Sequence, residues 1–116
     1  MPKVLVVEDQ YGYFEQIKSG LDGKAEVLHA ATLDKADELF FANPDIDVVI
    51  MDACVPGDDP SSMPLVEKIR GSGFQKPIIA CSSASDYRAM LIEAGASHES
   101  GKYGAGRLAL ELLGLV

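Results

Sequence analysis

Cysteine is scarce in this chain: Cys54 and Cys81 are the two among 116 residues. Two thiols cannot build a disulfide framework, and their spacing matches no metal-binding motif. A reduced, cytoplasmic compartment is the expectation that follows. Basic side chains are also few, 10 Lys and Arg against 18 Asp and Glu, for a formal net charge of −8. That balance argues against direct binding of nucleic acid or an anionic membrane, because both need basic patches. A basic partner surface or bound cations would suit it better. Long apolar runs are missing, as is a basic leader ahead of one, so neither a membrane span nor a signal peptide is expected. No internal repeat or low-complexity linker divides the chain. His29 and His98 stand apart and read as surface or core histidines. What remains is one domain, 1–116, with enough length to bury roughly two-thirds of its unfolded surface.

What is present is regular. "KVLVV" (3–7) is apolar on both parities, the mark of a strand covered on both faces. Phe14, Ile17 and Leu21 follow at helical spacing, with Gly23 just beyond. "AEVLHA" (25–30) is a second strand. Thr32 is placed to cap a helix whose Leu33, Ala36, Leu39 and Phe40 share a face. "NPD" (43–45) breaks that helix, and "DVVIM" (47–51) is the most buried-looking strand. Pro64 suits the first turn of a helix carrying Leu65, Val66 and Ile69. "PIIACS" (77–82) is a fourth strand, and Ser85 is expected to cap the helix that stops at Gly95. "ASHES" (96–100) is a short, polar fifth strand, and the chain closes on a helix through Leu108, Leu112 and Leu113. Strands alternating with helices of about ten residues predict βαβ units and a parallel sheet, hence a three-layer αβα sandwich.

In such a fold, ligands gather beyond the carboxyl ends of the strands. The residues there are Glu8 and Asp9 after the first strand, Asp52 after the third, Ser82 and Ser83 after the fourth, and Lys102 after the fifth. With the first and third strands adjacent, three carboxylates converge. Two full charges about 5 Å apart repel by about 3 kcal/mol at an effective dielectric near 20. A cation or protons must occupy such a cluster. Oxygen ligands with no His or Cys donor suit Mg²⁺. A carboxylate beside Mg²⁺ can attack a phosphoryl group and form an aspartyl phosphate. The metal and one ammonium would offset charge on the phosphoryl oxygens, and a nearby hydroxyl could hydrogen-bond one of them. Asp52, Glu8 with Asp9, Lys102 and Ser82 suit these roles.

Four stretches in order, "VLVVED", "DVVIMDACVPG", "KPIIACSS" and "EAGASHESGK", resemble the receiver domain of two-component response regulators, and the likeness runs through essentially the whole chain. It implies a flavodoxin-like, CheY-like sheet of order 2-1-3-4-5. It also implies Asp52 as phospho-acceptor, Lys102 as the phosphoryl-pairing cation and Ser82 as the switch hydroxyl. Asp9, Asp52 and the Cys54 backbone carbonyl would ligate Mg²⁺, with Glu8 acting through water. The partners implied are a histidine kinase or phosphotransfer protein and a downstream protein target. The expected product is a stand-alone switch rather than a metabolic enzyme, monomeric or weakly homodimeric through its last helix. Val116, just past that helix, leaves open a longer chain.

The chain also departs from the family pattern. "DDPSSMP" after Pro56-Gly57 is about two residues longer than the usual turn. Tyr103 follows Lys102 where the family has a proline after a cis bond. A cis bond before Tyr would cost about 3 kcal/mol, so a trans loop and a different aim for Lys102 are expected. Glu99 falls where a switch aromatic is usual. Cys54 and Ala84 occupy positions that tune phosphoryl lifetime, and neither suits the positioning of a hydrolytic water. These departures keep a second reading open, a pseudo-receiver that only docks proteins. Asp52 could equally end a strand, Glu8-Asp9 could favour a helix start, and Ser82 could bond backbone. A Cys54–Cys81 redox pair is disfavoured because Cys81 should face away from Ser82. A flavodoxin-like cofactor binder is disfavoured because "EDQYG" offers no phosphate-cradling glycine loop.

Overall fold

The computed structural model describes all 116 residues, Met1–Val116. Five strands alternate with five helices: β1 (Lys3–Val7), α1 (Tyr11–Gly20), β2 (Glu26–Ala30), α2 (Leu33–Ala42), β3 (Val48–Asp52), α3 (Met63–Gly71), β4 (Ile78–Cys81), α4 (Ser85–Ala94), β5 (His98–Ser100) and α5 (Ala105–Leu112). Every pairing is parallel, in the order β2-β1-β3-β4-β5. The expected flavodoxin-like α/β sandwich is the observed one. No helix is long and apolar enough to cross a membrane.

Strand parity sorts the core into two layers. Leu5, Val7, Val49, Met51, Ile78 and Ala80 pack under α2, α3 and α4. Val4, Val6, Val48, Ile50, Ile79 and Cys81 pack under α1 and α5. Both faces of the three central strands are covered, which is why those strands are apolar on both parities between Lys3 at the start of β1 and Asp52 at the end of β3. Asp52 shares the parity of Val48 and Ile50, and Glu8 that of Val4 and Val6. Both acids are therefore carried to the side of α1 and α5 at the carboxyl edge.

Several local expectations are met in detail. Thr32 caps α2 by accepting from the Lys35 N–H at 3.1 Å. Pro64 lies in the first turn of α3. β5 is only three residues long and is half-open to water. Two expectations are corrected. Ser85 is the first residue of α4 and Ala84 takes the cap position, with no side-chain cap. Ser82 instead turns the chain there, its Oγ accepting from the Ala84 N–H at 3.1 Å. On α5, the face turned to the sheet is Ala105, Ala109 and Leu110. Leu108, Leu112 and Leu113 are only partly buried at its margin.

Small residues face inward on α5 because α1 lies close. A Cβ added at Gly106 would stand 2.4 Å from the Ile17 carbonyl oxygen and 3.0 Å from Gly20 backbone. Backbone cannot yield as a side chain can, so Gly106→Ala is expected to destabilise the fold by about 2 kcal/mol, in the range of core overpacking. Gly12→Ala, in α1 with nothing within 4 Å of the new carbon, should be neutral or stabilising by up to about 1 kcal/mol. Urea unfolding of the two variants beside wild type checks both signs.

Candidate functional site

At the carboxyl edge, ligand oxygens of Glu8, Asp9 and Asp52 lie within 4.8 Å of one another. Lys102 reaches into the cluster from the β5–α5 connection. Its Nζ is 2.5 Å from Glu8 Oε1 and 2.9 Å from Asp52 Oδ1. Glu8, Asp52, Lys102 and Ser82 are all buried. A cavity of about 170 Å³ opens beside them, with Asp52, Cys54, Ser82, Ala84 and Lys102 in its wall. The trans peptide before Tyr103 is as expected, but the different aim for Lys102 is not. The ammonium meets Asp52 without help from a proline, and the cis bond of the molecule is at Val55–Pro56 instead.

Glu8 and Asp52 are each held by the loop that follows them, and Asp9 is held by the loop after β3. Glu8 Oε2 accepts from the Gln10 N–H at 3.2 Å, and Asp52 Oδ1 from the Cys54 N–H at 3.3 Å. Asp9 Oδ2 accepts from the Gly57 N–H at 3.2 Å, while its buried Oδ1 has no hydrogen-bond partner. A buried carboxylate oxygen without a donor, beside two further carboxylates, fits a hard cation such as Mg²⁺. Cys54 lines the cavity, its thiol donating to the Asp58 carbonyl at 3.4 Å.

The electrostatics follow from three carboxylates facing one ammonium. Burial raises the Glu8 carboxyl to about 7, with the Asp52 charge adding to the rise and Lys102 opposing it. Burial also works to lower the pKa of Lys102, but hydrogen bonds to Glu8 and Asp52 outweigh it and the net shift is upward. Burial pushes the Cys81 thiol up to about 12 and raises that of Cys54 as well. Both cysteines are free and they sit in different core layers. Neither is placed or ionised for redox pairing.

Several residues that hold the site were not given that role by the sequence. Ser62 Oγ donates to the Asp52 carbonyl at 2.6 Å, and the Ser61 and Ser62 N–H groups both donate to the Ala53 carbonyl. Ser61 Oγ donates to the Val55 carbonyl at 3.0 Å and accepts from the Val55 N–H at 3.1 Å. The lengthened loop is thus clasped back onto the end of β3 by its paired serines. His29 donates from Nε2 to the Glu8 carbonyl at 2.8 Å and stacks on Phe14 with ring centroids 3.7 Å apart. Arg88 donates to the Ser82 carbonyl at 2.7 Å and to Glu99 at 2.8 Å. The adjacent serines were a visible signal of a loop anchor. Glu99 stood out only as the missing aromatic, and nothing in the sequence paired it with Arg88 eleven residues away.

A five-stranded parallel αβα sandwich with an acidic cluster and a lysine at its carboxyl edge defines a class of fold, that of receiver domains. Solved structures place the chain alongside particular members of it. It is similar to the N-terminal domain of an uncharacterized protein from Wolinella succinogenes, at 26% identity and TM-score 0.77, covering 97% of this chain and 91% of that one. It is similar to the Francisella response regulator 1452 receiver domain, at 20% identity and TM-score 0.76, over 99% and 96% of the two chains. The Vibrio cholerae chemotaxis protein CheY4 matches at 22% identity and TM-score 0.78, over 100% of this chain and 99% of the other. No protein-family model and no curated protein sequence matches the chain. The fold is therefore the CheY-like receiver fold along nearly its whole length.

Glu8 makes the metal-free protein sensitive to pH. Its folded pKa of about 7 lies above the ordinary 4.5, so the folded state holds a proton that the unfolded chain has released. The contribution of this group to stability is full below pH 4.5 and is lost as pH rises towards 7. Urea midpoints of metal-free protein at pH 5 and pH 7.5 should fall with pH, and Glu8→Gln should flatten the slope. An unchanged slope in that variant would assign it to other groups.

Proposed function

We propose that this chain is a response regulator receiver that accepts a phosphoryl group on Asp52 from a histidine kinase or phosphotransfer protein. The observation that carries the proposal is the Lys102 ammonium drawn between Asp52 and Glu8, beside an Asp9 oxygen that lacks a donor. Asp9 and Asp52 would hold Mg²⁺, with Glu8 beside it. That ion, when bound, supplies positive charge to the phosphoryl oxygens.

The remaining chemistry belongs to the side chains. An Asp52 carboxylate oxygen forms the new O–P bond as the N–P bond to the donor imidazole breaks, and the imidazole, already protonated on its other ring nitrogen, leaves as the neutral ring. Lys102, already 2.9 Å from Asp52, stays with the acceptor and offers its remaining N–H donor to the transferred group. Ser82 Oγ accepts from the Ala84 N–H and keeps its own O–H to donate. A downstream protein then reads the altered surface. The chain acts as a switch in the cytoplasm and not as a metabolic enzyme. Glu99, paired with Arg88 where a switch aromatic is usual, favours a second reading as a docking module without phosphoryl chemistry.

Intact mass after incubation with Mg²⁺ and a small-molecule phosphodonor tests the proposal. A phosphoryl adduct is expected in wild type and not in Asp52→Asn, and Mg²⁺ should raise the melting temperature of wild type far more than that of the variant. If no adduct forms with the small donor or with a panel of phosphorylated kinases, the docking module takes its place. The adduct is also expected to be long-lived. Ala84 has no polar group, and the Cys54 thiol is already committed to the Asp58 carbonyl. Replacing the pair by Cys54→Asn with Ala84→Gln should shorten the half-life several-fold, and equal half-lives would contradict this account.

A further inference from the structure

The ring of Tyr13, on α1, lies over Lys102 with Nζ 4.9 Å from its centroid. Tyr103 meets the same ring edge-on, with centroids 6.3 Å apart and planes inclined at 68°. Tyr13 also forms part of the wall of the cavity that holds Asp52 and Ser82. The lysine side chain is only 9% exposed, so water does little to compete for its charge.

We propose that Tyr13 is a positioning residue: its ring roofs the Lys102 ammonium and holds it against Asp52, with Tyr103 buttressing the ring. The proposal rests on the phospho-acceptor reading of Asp52 for its function, though not for its geometry. A lysine on a flexible four-carbon stem can leave a carboxylate for solvent at small cost. Two carboxylates fix the ammonium from below, and both would be drawn upon when a phosphoryl group and a cation arrive. The ring is a neutral partner that neither event consumes. Its negative face attracts the charge, and that attraction grows where water is excluded. The hydroxyl of Tyr13 has no part in this, so phenylalanine should serve as well. Tyr103 explains how the arrangement persists without a proline after the lysine. The side chain at that position presses its edge on the roof rather than setting the backbone.

The test has two arms on the full chain. In protein labelled with ¹³C-lysine, the Lys102 ε-methylene resonance, assigned through Lys102→Arg, should stand upfield of the other lysines because it lies under a ring. It should keep that shift in Tyr13→Phe and lose it in Tyr13→Leu. An unshifted resonance in wild type, or one indifferent to Tyr13→Leu, overturns the proposal whatever the phosphorylation result. In the second arm, the initial rate of adduct formation with a saturating small phosphodonor and Mg²⁺ should fall about thirtyfold in Tyr13→Leu, the size of a desolvated cation–π contact read as a rate. Tyr13→Phe should remain within about twofold of wild type, since the ring face is retained. In a Lys102→Ala background Tyr13→Leu should cost nothing more, as it acts through that lysine. A full rate in Tyr13→Leu, or an equal loss in both backgrounds, overturns the positioning role. A ring-shifted lysine in a protein that takes no phosphoryl group would instead refute the acceptor reading and leave the contact standing.

Discussion

Burying acidic side chains together is costly, and the Lys102 ammonium is what makes that possible here. One cation is shared by Glu8 at 2.5 Å and Asp52 at 2.9 Å, and all three side chains are nearly buried. The pairing joins the end of β1, the end of β3 and the connection after β5, three points far apart along the chain. It does not neutralise the cluster. Asp9 adds a third carboxylate, and the surplus negative charge is the property that makes the edge receptive to a cation. Stability and function pull against each other at this point, as they commonly do at sites that must bind charge.

The scaffold serves that cluster by fixing backbone rather than by adding charge. Ser62 holds the carbonyl of Asp52, Ser61 and Ser62 close the long loop onto Ala53 and Val55, and His29 holds the carbonyl of Glu8. All of these bonds are neutral. They orient the acids without cancelling their charge, so the field at the cavity is left intact while the geometry is made rigid.

Fold and candidate site were legible in the sequence for different reasons. Parallel β-strands covered on both faces leave unbroken apolar runs, and "KVLVV" and "DVVIM" are hard to read otherwise. Once the sheet was in hand, the rule that ligands lie beyond the strand ends selected Glu8, Asp9, Asp52, Ser82 and Lys102 with no distance known. What escaped was every contact made between distant elements. Tyr13 has an ordinary place in an amphipathic helix, and only the packing of α1 beside α5 sets it over a lysine. The face of α5 was misjudged because leucines outweigh alanines in a hydropathy pattern. The close approach at Gly20 and Gly106 leaves no space for a side chain at Gly106 itself, and the sheet-facing positions Ala105 and Ala109 beside it are small. The aim of Lys102 was misjudged because a backbone rule was applied where side chains decide.

Arg88 bears on how far any event at Ser82 can travel. It links the Ser82 carbonyl to the carboxylate of Glu99, half of whose side chain is open to water. Where a buried ring would transmit by displacement, an ion pair at a surface transmits by charge, and charge there is screened by dissolved salt within about 10 Å at ordinary ionic strength. The stiffness of this link is therefore a property of the solution as well as of the fold. A crowded, salty medium would loosen the tie between the cavity and β5 without altering a single residue.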